Sequence, residues 1–276
     1  MLLAVHLLQV LPSDNVLDLW QSTSTIAAKS VVLAQALCLV LPPANQDRPI
    51  PRRGALHFND STFSHQLPSR LPMYDRALPG NLMEYVPSKA TESRNLLCVQ
   101  EVPLPTDRSA DFANRLPFGR DGYDKVILDV NSVCEQIFSQ EHDTDESRAP
   151  ELHQTLLAMR NRYGIAYAHL LMTALMTVRV GGRVVYCAPS TAGDDHDEIV
   201  GLAMGYAEDL AQAGAHPWVA QVQALPESVD QKLRCNWATR TRHGWVVVPD
   251  REGGRQQYGP RYIAVLTKRA FFEIAD

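Results

Sequence analysis

Alternating apolar and polar stretches over residues 123–190 predict a strand, a long helix and a second strand. Residues 123–130 (YDKVILDV) form a nearly continuous apolar run that ends in an acid, which is typical of a buried strand. From Glu151 to Val178 apolar residues recur every three or four positions, which predicts a helix with one apolar face. Gly181 and Gly182 then end the helix, and residues 183–188 (RVVYCA) form a second β-branched run. Strand, helix and strand in this order predict two parallel strands joined by a right-handed crossover.

The remaining segments predict more of the same architecture. Further strands are predicted at 16–19, 54–58, 96–102, 244–249 and 258–265, and helices at 2–11, 26–39, around 78–86 and from 194 to about 213. The last two strands flank a Gly/Pro-containing turn and are expected to pair antiparallel. We therefore expect an α/β protein with a Rossmann-like, seven-stranded, mostly parallel sheet, an antiparallel strand near its C-terminal edge, and helices on both faces.

Composition, net charge and cysteine spacing restrict the classes of protein to which this chain can belong. Hydrophobic residues make up 45% and charged residues 21% of the 276 residues, which is ordinary for a globular protein. The formal net charge of −5 argues mildly against a large direct RNA footprint. Five widely spaced cysteines without a Cys-x-x-Cys pair suit a reducing compartment and argue against a structural zinc site. No apolar run reaches transmembrane length, so no membrane association is expected.

Ligands of parallel sheets bind beyond the carboxyl ends of the strands, and here those ends carry a resemblance. The segments YDKVILDVNSV and GGRVVYCAPS resemble the core of the Sun-type RNA (cytosine-5) methyltransferases, closest to the mitochondrial ribosomal member. In that family the first strand ends in Asp-x-Pro-Cys, and the second reads Gly-Gly-x-hydrophobic-Val-Tyr-Ser-Thr-Cys-Ser. The segment VLDL at 16–19, the Asn59-Asp60 pair and the C-terminal Gly-Pro-x-Tyr resemble the family as well. The resemblance implies a class I methyltransferase fold and a single methyltransferase-like domain over residues 1–276, without the family's N-terminal RNA-binding extension.

The resemblance also locates a cofactor loop, in which the family reads Cys-Ala-Ala-Pro-Gly-Gly-Lys-Thr and holds S-adenosylmethionine. Here Ser24 and Thr25 occupy the glycine positions, and Ile26 occupies the lysine position. β-Branched residues do not allow the close backbone approach that glycine allows. Asp18 is retained, as is Asp60, which holds the cofactor ribose in the family and could equally cap a helical turn here. We therefore expect that no cofactor binds.

The catalytic positions implied by the resemblance are also changed. Pro189 stands where the family has the cysteine that attacks the base, and Ser132 stands at its second cysteine. Asp129, which holds the base edge in the family, is retained. Cys187 and Cys134 each lie two residues from those positions, roughly 6–7 Å along a strand, too far for a nucleophile unless the alignment slips. We interpret Cys187 as a small buried strand residue, assign no catalytic residue, and expect a protein that is not an enzyme.

Acids crowd the start of the helix predicted after residue 193. They include Asp194, Asp195 and Asp197, with His196 among them. Such a group could be imagined as a metal site, but adjacent residues do not share a helix face, so capping of the helix is favoured and no metal site is expected.

The function implied is a scaffold in the assembly of the large subunit of the mitochondrial ribosome. Its expected partners are an mTERF-type helical repeat protein, the large-subunit precursor and rRNA, and its expected location is the mitochondrial matrix, although no transit peptide is evident. An acidic surface would complement a basic partner. Candidates for that surface are Glu141, Asp143, Asp145, Glu146, Asp194, Asp195 and Asp197. The alternatives are an active S-adenosylmethionine-dependent rRNA cytosine-5 methyltransferase and a permanent mitoribosomal protein.

Overall fold

The computed structural model describes thirteen segments of the chain and defines in them three helices, ten strands and further helical residues at 32–33, 227 and 229–231. The described residues are 2–20, 32–33, 54–59, 83–85, 97–100, 116, 118–130, 167–189, 193–225, 227, 229–231, 238–248 and 260–271. The helices are α1 (Leu2–Leu8), α2 (167–177) and α3 (Gly193–Gln212). The strands are β1 (Asn15–Trp20), β2 (Ala55–Asn59), β3 (Met83–Tyr85), β4 (Leu97–Gln100), β5 (Tyr123–Asp129), β6 (Val178–Pro189), β7 (Trp218–Val222), β8 (Ala238–Arg240), β9 (Trp245–Val247) and β10 (Arg261–Ala270).

All ten strands belong to one sheet, in the order β3-β4-β2-β1-β5-β6-β10-β9-β8, with β7 also paired to β10. The pairs from β3 across to β6 are parallel, and β10 runs antiparallel to β6, β7 and β9. The predicted fold is therefore confirmed: a mostly parallel Rossmann-like sheet with an antiparallel C-terminal strand. Three short strands, β3, β7 and β8, extend it beyond the seven predicted strands.

Different helices cover the two faces of the sheet. Because side chains alternate along each strand, neighbouring residues of β5 contact different helices. On one face Val126 and Leu128 of β5 pack with apolar residues of α2 and α3. On the other face Ile127 packs with Val185 and with the apolar side of α1. Among the helices that the structure describes, none is long and apolar enough to cross a membrane.

Two local predictions are wrong. Gly181 and Gly182 do not end the helix: α2 ends at residue 177, and both glycines lie inside β6. They form an irregularity in the pairing with β5, where Gly181 has φ +78° and a Cβ on Gly182 would come within 2.6 Å of a Val178 methyl group. The helix predicted around 78–86 is replaced by strand β3, which pairs with β4 at the edge of the sheet.

Candidate functional site

The candidate site lies at the carboxyl ends of β1 and β5, where the strand order reverses. From β1 the chain continues to β2 on one side, and it later returns to β5 on the other side. Ligands of open parallel sheets bind in the crevice at such a reversal. The pairing of β1 with β5 is also irregular between Asp18 and Trp20, and such irregularities recur beside functional sites.

Asp18 lies at this crevice, near the end of β1. It sits opposite Phe58 of β2 on one side and Ile127 of β5 on the other, and it is fully buried. Because Asp18 alternates with the buried residues Leu17 and Leu19, its side chain lies on the sheet face that α1 covers. The structure thus places one retained acid of the predicted cofactor site at the strand reversal.

Asp129 ends β5 and is held by an arginine from the opposite side of β6. The Arg261 guanidinium donates a hydrogen bond from Nη1 to Oδ1 of Asp129 at 2.8 Å. The Asp129 side chain is 4% exposed and that of Arg261 is 22% exposed. Arg261 is the first residue of β10 and pairs with Pro189 of β6, so its side chain crosses the end of β6 to reach the carboxylate. The ion pair fixes the orientation of Asp129 at the edge of the crevice.

Cys187 lies on the same face of the sheet as Asp129, directly opposite it in the pairing of β5 with β6. It is 2% exposed and belongs to the core cluster that includes Ile263. Its interpretation as a small buried strand residue is confirmed. Pro189 is the last residue of β6, two positions beyond Cys187 on the same face.

The end of β6 is fixed by His196 of α3, a buried residue whose role the sequence did not reveal. Its Nε2 lies 2.8 Å from the carbonyl oxygen of Pro189, and its Nδ1 lies 3.0 Å from the hydroxyl of Tyr186. A carbonyl only accepts, so Nε2 carries the proton and donates, while Nδ1 accepts from Tyr186. Burial raises the pKa of Tyr186 well above its usual range, which keeps that hydroxyl a donor.

His196 therefore links α3 to the end of β6. Within the described residues no group of three or more metal-ligating side chains is found. The sequence signal that could have located His196 is its spacing, since it follows the end of β6 by seven residues and begins the apolar face of α3. Its partner Tyr186 is recognisable only as a buried strand residue.

Asp197, a candidate for the acidic docking surface, has a different role. Its carboxylate accepts hydrogen bonds from Thr241 Oγ1 (2.7 Å), the Arg242 amide (2.7 Å), the His243 amide (3.0 Å) and the Tyr262 hydroxyl (2.7 Å). Burial acts to raise the pKa of Asp197, but these hydrogen bonds outweigh it, so the pKa lies below its ordinary value. Asp197 ties α3 to the turn between β8 and β9 and to β10, so the prediction that it forms an open docking acid is wrong.

The other predicted site residues cannot be placed in the same way. Ser24, Thr25, Ile26, Asp60, Ser132 and Cys134 lie outside the described residues, as do Glu141, Asp143, Asp145 and Glu146. The backbone of Asp194 and Asp195 lies in the first turn of α3, as the capping interpretation expects. The predictions for the cofactor loop and for the second cysteine therefore stay predictions.

Comparison with known proteins gives matches among solved structures, whereas no family model and no curated sequence matches. PH0851 superposes with a TM-score of 0.55 at 15% identity, covering 96% of this chain and 45% of its own. A methyltransferase homologue from Pyrococcus horikoshii gives 0.52 at 13% identity, covering 95% and 63%. NSun6 from Pyrococcus horikoshii, crystallised with SFG, gives 0.49 at 12% identity, covering 96% and 50%. This chain thus spans less than two thirds of the length of the structures it matches.

The comparison corrects two expectations from the sequence. The expectation that the chain is not an enzyme is wrong, because the fold it shares is that of a methyltransferase homologue. The expectation of no cofactor is contradicted by the same likeness to a methyltransferase homologue. Two acids that the sequence retains, Asp18 and Asp129, lie at the strand reversal and beside it.

With its strand order, its strand reversal at β1 and β5, and its antiparallel β10, the chain has the Rossmann-like fold of class I methyltransferases.

Proposed function

We propose that this chain is an S-adenosylmethionine-dependent methyltransferase that acts on ribosomal RNA. In this proposal it works in the mitochondrial matrix on the precursor of the large ribosomal subunit, together with an mTERF-type helical repeat protein. The observation that carries the enzymatic part is the position of two carboxylates, Asp18 and Asp129, at the carboxyl ends of the strands that flank the reversal. The resemblance to the Sun-type RNA methyltransferases supports the substrate, the partner and the location.

Asp18 would hold the cofactor. S-adenosylmethionine presents an ammonium group, a positively charged sulfonium and two ribose hydroxyls, all of which favour a carboxylate as acceptor or counter-charge. Asp18 supplies such a group at the point of the sheet where ligands of this architecture bind. When bound, the cofactor supplies an activated methyl group.

Asp129 would hold the target base. A carboxylate accepts a hydrogen bond from an exocyclic amino group, as in the recognition of cytosine N4. Arg261 restrains the carboxylate at 2.8 Å and so reduces the freedom that the base would otherwise have to remove on binding. A base to be modified must leave its stack, and a restrained acceptor at the edge of a crevice suits that purpose.

The atom that accepts the methyl group decides whether Cys187 takes part. Methylation at cytosine C5 needs a thiolate to activate the ring, and Pro189 cannot provide one. Cys187 lies two residues away on the same face, buried at 2% exposure. A C5-methylated product that is lost in Cys187→Ser would assign the nucleophile to Cys187. A product methylated on nitrogen or oxygen that survives in Cys187→Ser would assign transfer without a covalent intermediate.

Calorimetric titration with S-adenosylmethionine tests the cofactor. We expect saturable binding to the wild-type protein with a dissociation constant in the micromolar range. Asp18→Asn should weaken that binding about tenfold or more, because it removes the counter-charge. Asp209→Asn is the matched control, since it makes the same change at an exposed position of α3 and should leave the affinity unchanged. Absence of binding to the folded wild type would overturn the proposal.

Transfer of labelled methyl groups to large-subunit rRNA tests the substrate. We expect transfer by the wild type and a drop of about 100-fold in Asp129→Asn, similar to the loss of one positioned polar group in other active sites. Tagged protein purified from mitochondria should carry an mTERF-type protein and large-subunit rRNA. Binding of S-adenosylmethionine without these associations would leave the cofactor assignment standing and refute the assignment to the ribosome.

A further inference from the structure

The amino-terminal edge of the sheet, opposite the candidate site, collects basic side chains. We call five of these residues the basic edge: Arg120, Lys125, Arg179, Arg183 and Arg269. Arg120 precedes β5, Lys125 lies near the start of β5, and the next two lie in the first half of β6. Arg269 lies near the end of β10, which runs antiparallel and therefore ends at the same edge.

The acids at this edge are occupied by internal hydrogen bonds. Asp14 accepts from the Leu11 amide at 2.8 Å. Asp124 accepts from the Asn15 amide at 2.8 Å and from Arg179 Nε at 2.5 Å. The third acid, Asp121, accepts from the fully buried ammonium of Lys268. Among the described residues, Arg179 is the one member of the basic edge that forms an ion pair with these acids, and Asp14 and Asp124 also act electrostatically on Lys125.

The charge balance at the edge is opposite to that of the chain. Strands β5, β6 and β10, together with the turns before β1 and β5, carry six of these cations, Lys268 included, and three acids at this edge. The whole chain carries a formal net charge of −5. The negative net charge of the whole chain is therefore compatible with a local basic surface.

Two groups of these cations lie close enough for their charges to repel one another. Burial lowers the pKa of Lys125, and the positive charges of Arg183 and Arg179 lower it further, against the opposing effect of nearby acids. Burial likewise lowers the pKa of Lys268, and Arg120 adds to that effect. A bound anion would relieve this repulsion, which is a favourable contribution that a neutral ligand cannot supply.

We propose that the basic edge binds the phosphate backbone of RNA as a second contact, away from the crevice. This inference rests on the proposed rRNA substrate and adds where the body of that RNA lies. Strand β5 has seven residues, so the two edges are roughly 20 Å apart, a distance that a continuous RNA can bridge. Phosphate contacts would position the RNA without reading its sequence.

Two arginines allow a test that leaves the fold intact. Arg120 and Arg269 are both exposed, and neither forms an ion pair with another described residue. Arg179 and Arg183 are unsuitable, because they bond to Asp124 and to the Leu7 carbonyl. The test variant is Arg120→Gln/Arg269→Gln.

The matched control is Arg240→Gln/Arg242→Gln. It removes the same two charges from exposed residues on and beside strand β8, away from the basic edge. Thermal unfolding of both variants confirms that each remains folded.

The measurement is the affinity for a single-stranded fragment of large-subunit rRNA as a function of salt concentration. Each lost phosphate contact should reduce the slope of log K against log salt by about 0.7, so the test variant should lose about 1.4. If the affinities converge near about 1 M salt, this corresponds to roughly 25-fold weaker binding at about 0.1 M salt. The control should keep the wild-type slope, and both variants should bind S-adenosylmethionine as the wild type does.

Three results would overturn the inference. The first is an unchanged slope in the test variant, and the second is an equal loss of slope in the control. The third is competition by polyglutamate as effective as that by RNA, which would indicate an acidic protein as the occupant. In each case methyl transfer to rRNA decides the proposed function separately, and failure of the wild type to bind any RNA would refute both.

Discussion

Replacing Asp197 should destabilise the protein more than replacing any ordinary surface acid, because its carboxylate accepts four hydrogen bonds. Oδ1 accepts from Thr241, the His243 amide and Tyr262, and Oδ2 accepts from the Arg242 amide. A hydrogen bond to a charged group contributes roughly 1.5–3 kcal/mol, and the low end applies to a half-buried group. Four such bonds would give about 6 kcal/mol, and replacement of about half of that by water leaves about 3 kcal/mol for Asp197→Ala.

Asp197→Asn separates charge from hydrogen bonding. The amide oxygen can replace Oδ1 and keep its three donors, while the amide nitrogen would face the Arg242 N–H and lose one bond. We expect a loss of about 1 kcal/mol for Asp197→Asn. Tyr262→Phe removes one donor and serves as a second graded variant, also with about 1–2 kcal/mol.

Urea unfolding at pH 7, followed by circular dichroism, measures the series. The hydrogen bonds hold the pKa of Asp197 below its ordinary value. Its contribution is therefore present above the unfolded pKa, about 3.9, and is lost as the pH falls through the folded pKa. Asp197→Ala should lack this part of the acid destabilisation of the wild type. A loss below about 1 kcal/mol for Asp197→Ala, or equal losses for Ala and Asn, would refute the reasoning.

Three further predictions concern stability. Asp121→Ala should cost about 3 kcal/mol in urea unfolding. It removes the counter-charge of the buried Lys268 ammonium and leaves the Val178 carbonyl as its remaining hydrogen-bond acceptor among the described residues. Lys268→Met should change stability by only about 1 kcal/mol, and the reverse order would contradict this. Gly182→Ala should lower the stability by about 2 kcal/mol in thermal unfolding, because its Cβ would lie 2.6 Å from a neighbouring methyl group. Gly205→Ala in α3 meets no atom within 4 Å and should raise the stability by about 0.5–1 kcal/mol. Burial lowers the pKa of His57 to about 4. The neutral imidazole therefore contributes stability above pH 6.5, and the free energy of unfolding should fall by about 3 kcal/mol between pH 6.5 and 4. Urea unfolding across this pH range should show the decrease in the wild type but not in His57→Phe.

The parts of the fold that the sequence predicts best are those with a strong apolar period. Strand β5 was expected at 123–130 and lies at Tyr123–Asp129, because a buried parallel strand is apolar on both faces. Helix α3 was expected to end near residue 213 and ends at Gln212. The start of β6 was misjudged, because a glycine pair inside a strand gives the same local signal as a pair that ends a helix.

The parts of the site that the sequence does not predict are contacts between distant segments. Arg261 and Asp129 are 132 residues apart, and the local sequence around either residue does not predict the ion pair. The expected loss of function came from replaced motif residues, but a replacement says only which group is missing. It does not say which retained groups the fold still brings to the crevice. Asp18 and Asp129 are retained and belong to adjacent strands, which only the sheet order makes evident.

Adjacent residues of α3 connect the helix to the site along two routes. His196 donates to the carbonyl of Pro189 at the end of β6, and Pro189 pairs with Arg261, whose guanidinium holds Asp129. Asp197 binds the Tyr262 hydroxyl, one residue further along β10. Each route runs through buried or half-buried hydrogen bonds, which fix positions more firmly than exposed contacts do. The position of the Asp129 carboxylate therefore depends on how α3 packs against β6 and β10, so we expect a substitution in α3 to displace this carboxylate and, with it, the proposed contact to the base.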